Sequence, residues 1–192
     1  MIGSRPRLPN SDLDAGRPNQ IGGKLAVTGA GPGHRHVVGI GELAVANQGS
    51  DVIVTHALGS CIAVCIWDPV AGVAGLLHYL LPDSKINPVR AENQPATYAD
   101  TGIPLLLTQA FALGAQKPRL VVRLVGGAEV AGGGGAFNVG KRNLLAARNL
   151  LWKQGIMVKG EAVGGTVART VHMDVGPGRI RVTSGSELLH EF

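Results

Sequence analysis

Apolar residues in this chain come mostly in short runs cut by glycine, proline and aspartate, and in two places they recur at helical spacing instead. His36 to Asn47 has strand character, and Asp51 to Thr55 continues the β pattern. Ile62 to Trp67 and Val73 to Leu81 are apolar enough to be buried strands, joined by the turn Asp68-Pro-Val-Ala-Gly72. A polar loop over Asp83 to Thr97 leads to a helix starting near Asp100 or Thr101. It lines up Ile103, Leu106, Leu107, Ala110 and Leu113, takes Pro104 in its first turn and ends at Gly114. Leu120 to Val125 is a buried strand. A second helix runs from about Val139 to Gln154, capped by Asn138, closed by Gly155, with Leu144, Ala147 and Leu151 inward. Strands at Ile156 to Val163, Val167 to Met173 and, after Gly176-Pro-Gly178, Arg179 to Thr183 complete the order. Strands outnumber helices in a mixed order, which predicts an α/β (α+β) fold with two packed mixed β-sheets and helices outside.

The hairpin carries the candidate chemistry. If Trp67 pairs with Ala74 across the turn, Ala63 lies opposite His78, and Cys61 sits diagonally from that histidine on the same face. Diagonal neighbours start about 7–8 Å apart between backbones, close enough for the side chains to meet with some twist or a bulge. A slip of one residue would put them on opposite faces. A thiol attacks a carbonyl well when a base assists it, so Cys61 is the candidate nucleophile and His78 its base.

Thr55, six residues before the cysteine at a strand end, has a hydroxyl that can fix the imidazole. Leu58-Gly59-Ser60 reads as a tight turn into Cys61. Gly59 and Ser60 there would offer backbone N–H groups to an incoming carbonyl oxygen. The plainer alternative is a thiol that merely packs, which is the reading for Cys65. On one strand Cys61 and Cys65 would stand about 13 Å apart, too far for a disulfide and awkward for one metal ion. Two cysteines make no disulfide scaffold, which fits a reducing compartment.

Composition fits one domain over 36–192, since 192 residues with 45% hydrophobic content can bury a single core. Residues 1–35 are rich in Gly, Pro, Asn and Asp without periodicity and are expected to be a disordered basic leader. Arg5, Arg7, Arg17, Lys24 and Arg35 against Asp12 and Asp14 account for more than half of the net charge of +5. The charge therefore reports a tail rather than a nucleic-acid surface, and the leader lacks aromatic residues for base stacking. No apolar run is long enough for a membrane span, and no signal-peptide core follows Met1, so a cytoplasmic protein is expected. Gly135-Ala-Phe-Asn-Val-Gly140-Lys141 fits seven positions of a phosphate loop, but Arg142 stands where a Ser or Thr should ligate Mg²⁺. Lys141 and Arg142 are read instead as outward basic residues at a helix start, candidates for binding.

These residues also resemble the CheD family, the chemoreceptor glutamine deamidases of bacterial and archaeal chemotaxis. The shared pattern is Thr55, Leu58-Gly-Ser-Cys61 and Gly75-Leu-Leu-His78-Tyr-Leu-Leu-Pro82. It continues through Tyr98-Ala-Asp100, Val125-Gly-Gly-Ala128, Gly140-Lys-Arg-Asn143, Val163-Gly-Gly165 and Arg169, over about residues 36 to 184. The resemblance implies a mixed α/β architecture and attack by Cys61 on a receptor glutamine, with His78 as base and then acid and Thr55 orienting it. It also implies two partners: receptor cytoplasmic helices, whose acidic surface Lys141 and Arg142 would meet, and a CheC-type phosphatase. The thiol chemistry needs no cofactor and no metal. Methyl-ester cleavage would pass through the same acyl-enzyme. The chain departs from the family at His56-Ala57, where members commonly carry Leu-Gly, and at the long loop Ala131-Gly-Gly-Gly-Gly-Ala136. His56 should point away from Thr55. Two further functions remain open: a thiol hydrolase acting on another protein, and a non-catalytic regulator that binds the phosphatase.

Overall fold

The computed structural model describes residues 24–25, 33–129 and 138–192. Most of the leader and the glycine loop at 131–136 lie outside the described residues. Eleven strands and three α-helices are present among the described residues. The six-stranded sheet takes β1 (Lys24–Leu25), β3 (Glu42–Ala46), β5 (Ile62–Asp68), β6 (Val73–Tyr79), β7 (Val121–Gly126) and β8 (Val158–Val163), in the order β1-β3-β6-β5-β7-β8. The five-stranded sheet is ordered β11-β10-β9-β4-β2, from β2 (Arg35–Val38), β4 (Val52–Leu58), β9 (Arg169–Asp174), β10 (Ile180–Ser184) and β11 (Glu187–Glu191). Each sheet contains parallel and antiparallel pairs, so both are mixed, as expected.

The β5–β6 hairpin has the anticipated register: Trp67 pairs with Ala74 and Ala63 with His78. Asp68 holds the turn by accepting from the amides of Val70 and Ala71. Residues then alternate between two cores. One face of the hairpin sends Ile62, Val64, Ile66, Leu77 and Tyr79 toward the helices α2 (Ala99–Ala112) and α3 (Val139–Lys153). The other sends Ala63, Cys65, Ala74 and Leu76 against Ile53, Leu58, Val171, Met173 and Val182 of the second sheet. Small residues on this inner face let the sheets approach closely. The helices cover the outer face of the six-stranded sheet, giving three layers.

Several boundaries differ from the expectation. His36 to Asn47 is two strands in different sheets. Gly41, at φ 75, lets the chain turn between them where a side chain would be strained. The Asp83–Thr97 loop contains α1 (Pro88–Asn93), started by Asn87, whose side chain accepts from the Arg90 amide. Helix α2 starts at Ala99, so Pro104 falls inside it rather than in its first turn. In α3 the buried line is Gly140, Asn143, Ala147 and Leu151, while Leu144 packs at its margin. The terminal strand β11 is exposed along its length and was not anticipated. No helix among the described residues is long and apolar enough to cross a membrane.

Candidate active site

Thr55 and His78 are hydrogen-bonded where the two sheets face each other, and Cys61 belongs to the buried cluster between those sheets. Thr55 shares the inward face of β4 with Ile53 by strand alternation, and a bulge after Thr55 brings Leu58 to that face as well. Thr55 pairs with Val171 and Leu58 with Arg169, so β4 has one residue more than β9 over this stretch. Residues three apart on a regular strand face opposite sides; the extra residue turns Leu58 inward beside Thr55, where each is fully buried. The bulge is formed by His56 and Ala57, and Ala57 adopts φ 57, a left-handed conformation rare without glycine. His56 points outward as expected and meets the His172 ring edge-on at 6.2 Å.

Thr55 Oγ1 donates to the Val38 carbonyl at 2.6 Å and lies 2.8 Å from His78 Nδ1. A hydroxyl has one proton, and here Val38 takes it. Oγ1 must therefore accept from Nδ1–H, which leaves Nε2 of the neutral ring as a bare lone pair. Nε2 is buried without a hydrogen-bond partner. Burial lowers the His78 pKa to about 4, against an opposing pull from the nearby Glu42 carboxylate, so the ring is neutral at physiological pH.

Cys61 is 6% exposed and sits just before β5, diagonal to His78 on the same face. Burial raises its pKa, and a hydrogen bond from its own amide partly offsets this. The resting pair is thus a neutral thiol beside a neutral imidazole, with no hydrogen bond yet joining them. Cys65, wholly enclosed four residues on, is pushed up to about 12 and packs in the core as expected.

The turn before Cys61 is pinned through consecutive carbonyls. Gly59 O accepts from the Ala128 amide at 2.8 Å, Ser60 O from Asn143 Nδ2 at 3.0 Å, and Cys61 O from the Gly127 amide at 2.8 Å. Gly126, at φ 113, allows this approach: a Cβ there would lie 2.3 Å from the Cys61 oxygen. Gly59 and Ser60 are half-buried at the rim. Lys141 and Arg142 are exposed in the first turn of α3, where the Lys141 amide is capped by Asn138. Asn143, buried in the same helix, was absent from the expected site. The cue was a polar residue on the inward line of an amphipathic helix. No group of three or more His, Cys, Asp or Glu side chains placed to hold a metal occurs among the described residues.

A thiol, an imidazole with one free nitrogen and a hydroxyl that fixes the other are the parts of an acyl-transfer centre of the thiol class. Comparisons with known proteins identify the family of the chain. The chain belongs to the CheD family: the family model for CheD chemotactic sensory transduction matches residues 80–184. Its relatives include the "Probable chemoreceptor glutamine deamidase CheD" of Solibacter usitatus, 47% identical over 144 residues, 75% of this chain and 85% of that protein. The "Probable chemoreceptor glutamine deamidase CheD 1" of Syntrophus aciditrophicus is 42% identical over 156 residues, 81% of this chain and 98% of that one. The corresponding "CheD 2" of Anaeromyxobacter dehalogenans is 47% identical over 151 residues, covering 79% and 95%. The family model begins beyond the site, but an alignment over 156 of 192 residues cannot start late enough to miss Thr55, Cys61 or His78.

Proposed function

We propose that this chain is a protein-glutamine deamidase that converts chemoreceptor glutamines to glutamate through Cys61, His78 and Thr55. The observation that carries the reading is the spent hydroxyl of Thr55, which commits His78 to the tautomer whose Nε2 can take a proton. In the first step the Cys61 sulfur bonds to the amide carbon, its proton passes to Nε2, and the carbonyl electron pair moves to oxygen. Collapse of this intermediate breaks the C–N bond, and Nε2–H supplies the proton with which ammonia leaves. Water then attacks the thioester carbon, giving a proton to Nε2. The C–S bond breaks, glutamate is released and the thiol regains its proton. Because both groups rest neutral, the proton moves as the sulfur attacks rather than beforehand.

The substrate is a glutamine on receptor cytoplasmic helices, which places the enzyme in the cytoplasm. Lys141 and Arg142 would meet acidic positions beside the target. Each turnover adds one negative charge, enough to retune the packing of a two-state receptor.

The test is mass spectrometry of a receptor cytoplasmic fragment after incubation with wild type, Cys61→Ala and His78→Ala. Wild type should convert particular glutamines with a gain of about one dalton, the change from amide to acid. Both variants should fall on the order of 10²-fold or more. If Cys61→Ala retains the effect on signalling, docking to a CheC-type phosphatase is the function instead.

A further inference from the structure

A thioester-forming site needs N–H donors aimed at the oxygen that gains charge, and in a turn their direction can reverse by rotation of a peptide unit. Here the units before and after the nucleophile are held by the main chain of Gly127 and Ala128, through Cys61 O and Gly59 O. The unit between them, Ser60–Cys61, is held by the side chain of Asn143. None of the described peptide bonds is cis, so the Ser60 carbonyl and the Cys61 N–H point in opposite directions. Fixing the first toward Asn143 on α3 fixes the second away from that helix.

Asn143 is wholly buried, and its amide orientation is set by its neighbours. Nδ2 faces two carbonyls, Ser60 O at 3.0 Å and Leu80 O at 2.9 Å, so both of its protons are used. The price is an Oδ1 buried without a partner. A residue serving packing alone would not leave that acceptor unmet while bridging the turn before Cys61 to the strand end after His78. The Asn143 carbonyl is itself anchored by the Tyr79 hydroxyl at 2.6 Å, which stiffens this part of the helix against the hairpin.

From these contacts we infer that Asn143 is a positioning residue that locks the Ser60–Cys61 peptide unit and so presents the Cys61 N–H as an oxyanion donor. The inference rests on the deamidase reading of the site. It predicts that acyl transfer and simple thiol alkylation come apart. Attack on iodoacetamide needs Cys61 and His78 but develops no oxyanion; attack on a glutamine amide needs all three.

The experiment compares wild type, Asn143→Ala and Asn143→Asp, the last similar in size but without the donating Nδ2. Deamidation of a receptor glutamine peptide should lose on the order of 10²-fold in kcat with KM nearly unchanged, while the iodoacetamide rate at Cys61 stays within about twofold. Equal loss of both rates would make Asn143 merely structural, and an unchanged kcat would show that the peptide unit needs no lock. Either result overturns the inference. Should both variants fail to fold, wild type is titrated with a peptide aldehyde of the glutamine side chain and followed by NMR. A downfield shift of the Cys61 amide supports the inference and an unmoved amide overturns it. A wild type that deamidates no receptor glutamine removes the reading of the site; an active wild type beside equally active variants removes this inference alone.

Discussion

The Asp68 carboxylate at one end of β5 and the His78 and Asn143 side chains beside the other end are buried in opposite ways, while Trp67 Nε1 next to Asp68 is also without a partner. At the far end the Asp68 carboxylate is fully enclosed and fully paired. It accepts from the amides of Val70, Ala71 and Gln116 and holds Arg119 with a 2.8 Å ion pair. These contacts keep its pKa well below the usual carboxylate range despite burial. At the near end, beside Cys61, His78 Nε2 and Asn143 Oδ1 are equally enclosed and have no partner. A buried polar atom left unpaired costs stability, so the Asp68 network holds the fold, whereas the proposed function gives the free nitrogen of His78 a use.

Removing the Asp68 carboxylate should produce one of the two largest changes in stability. Asp68→Ala leaves three amides without this acceptor and Arg119 with only the Gly114 carbonyl, and should cost about 3 kcal/mol, the low end for a broken buried pair because Arg119 retains 27% exposure. Denaturant unfolding reads this loss, and activity per folded molecule should remain near wild type. A matching loss of activity would mean that the two ends are not independent.

The second prediction concerns pH. His78 has a pKa of about 4 in the folded protein, against about 6.5 when unfolded. Between those values the unfolded chain binds a proton that the folded one refuses. The stability contribution is therefore complete above about pH 6.5 and disappears as pH falls toward 4, by about 3 kcal/mol. His78→Gln should flatten the stability profile across that window while abolishing deamidation. If wild type and His78→Gln lose stability in parallel from pH 6.5 to 4, the neutral imidazole is not the source.

The smallest effect belongs to the bulge. Ala57→Gly removes the steric cost of φ 57 and should stabilise by up to about 1 kcal/mol, less the flexibility glycine adds to the unfolded chain. Deamidase activity should stay within about twofold. A large gain in activity would show that the strain at Ala57 restrains the site.

Much of the Cys61 end of β5 was legible in sequence, because a two-residue period and a five-residue turn suffice to set the hairpin register that brings Ala63 opposite His78. The helices were legible from their apolar spacing, and α3 ends close to where Asn138 and Gly155 mark it. The split of His36–Asn47 was hidden because both strands are apolar enough to read as one; only Gly39-Ile-Gly41 marks the crossing into another sheet. Exposed β11 has no inward face to give it alternation, and α1 has too few apolar residues to show a stripe. Asp68 read as turn chemistry alone because its ion partner, Arg119, lies 51 residues away. Asn143 was visible as a helix residue, but its work on Ser60 O, 83 residues earlier, depends on tertiary packing.

The central claim is the state of one ring, and ¹⁵N NMR of His78 reads it directly. A neutral imidazole protonated on Nδ1 and bare on Nε2, unchanged from pH 8 to pH 5, is the predicted result. A proton on Nε2, or an imidazolium paired with a Cys61 thiolate at pH 7, would contradict the account.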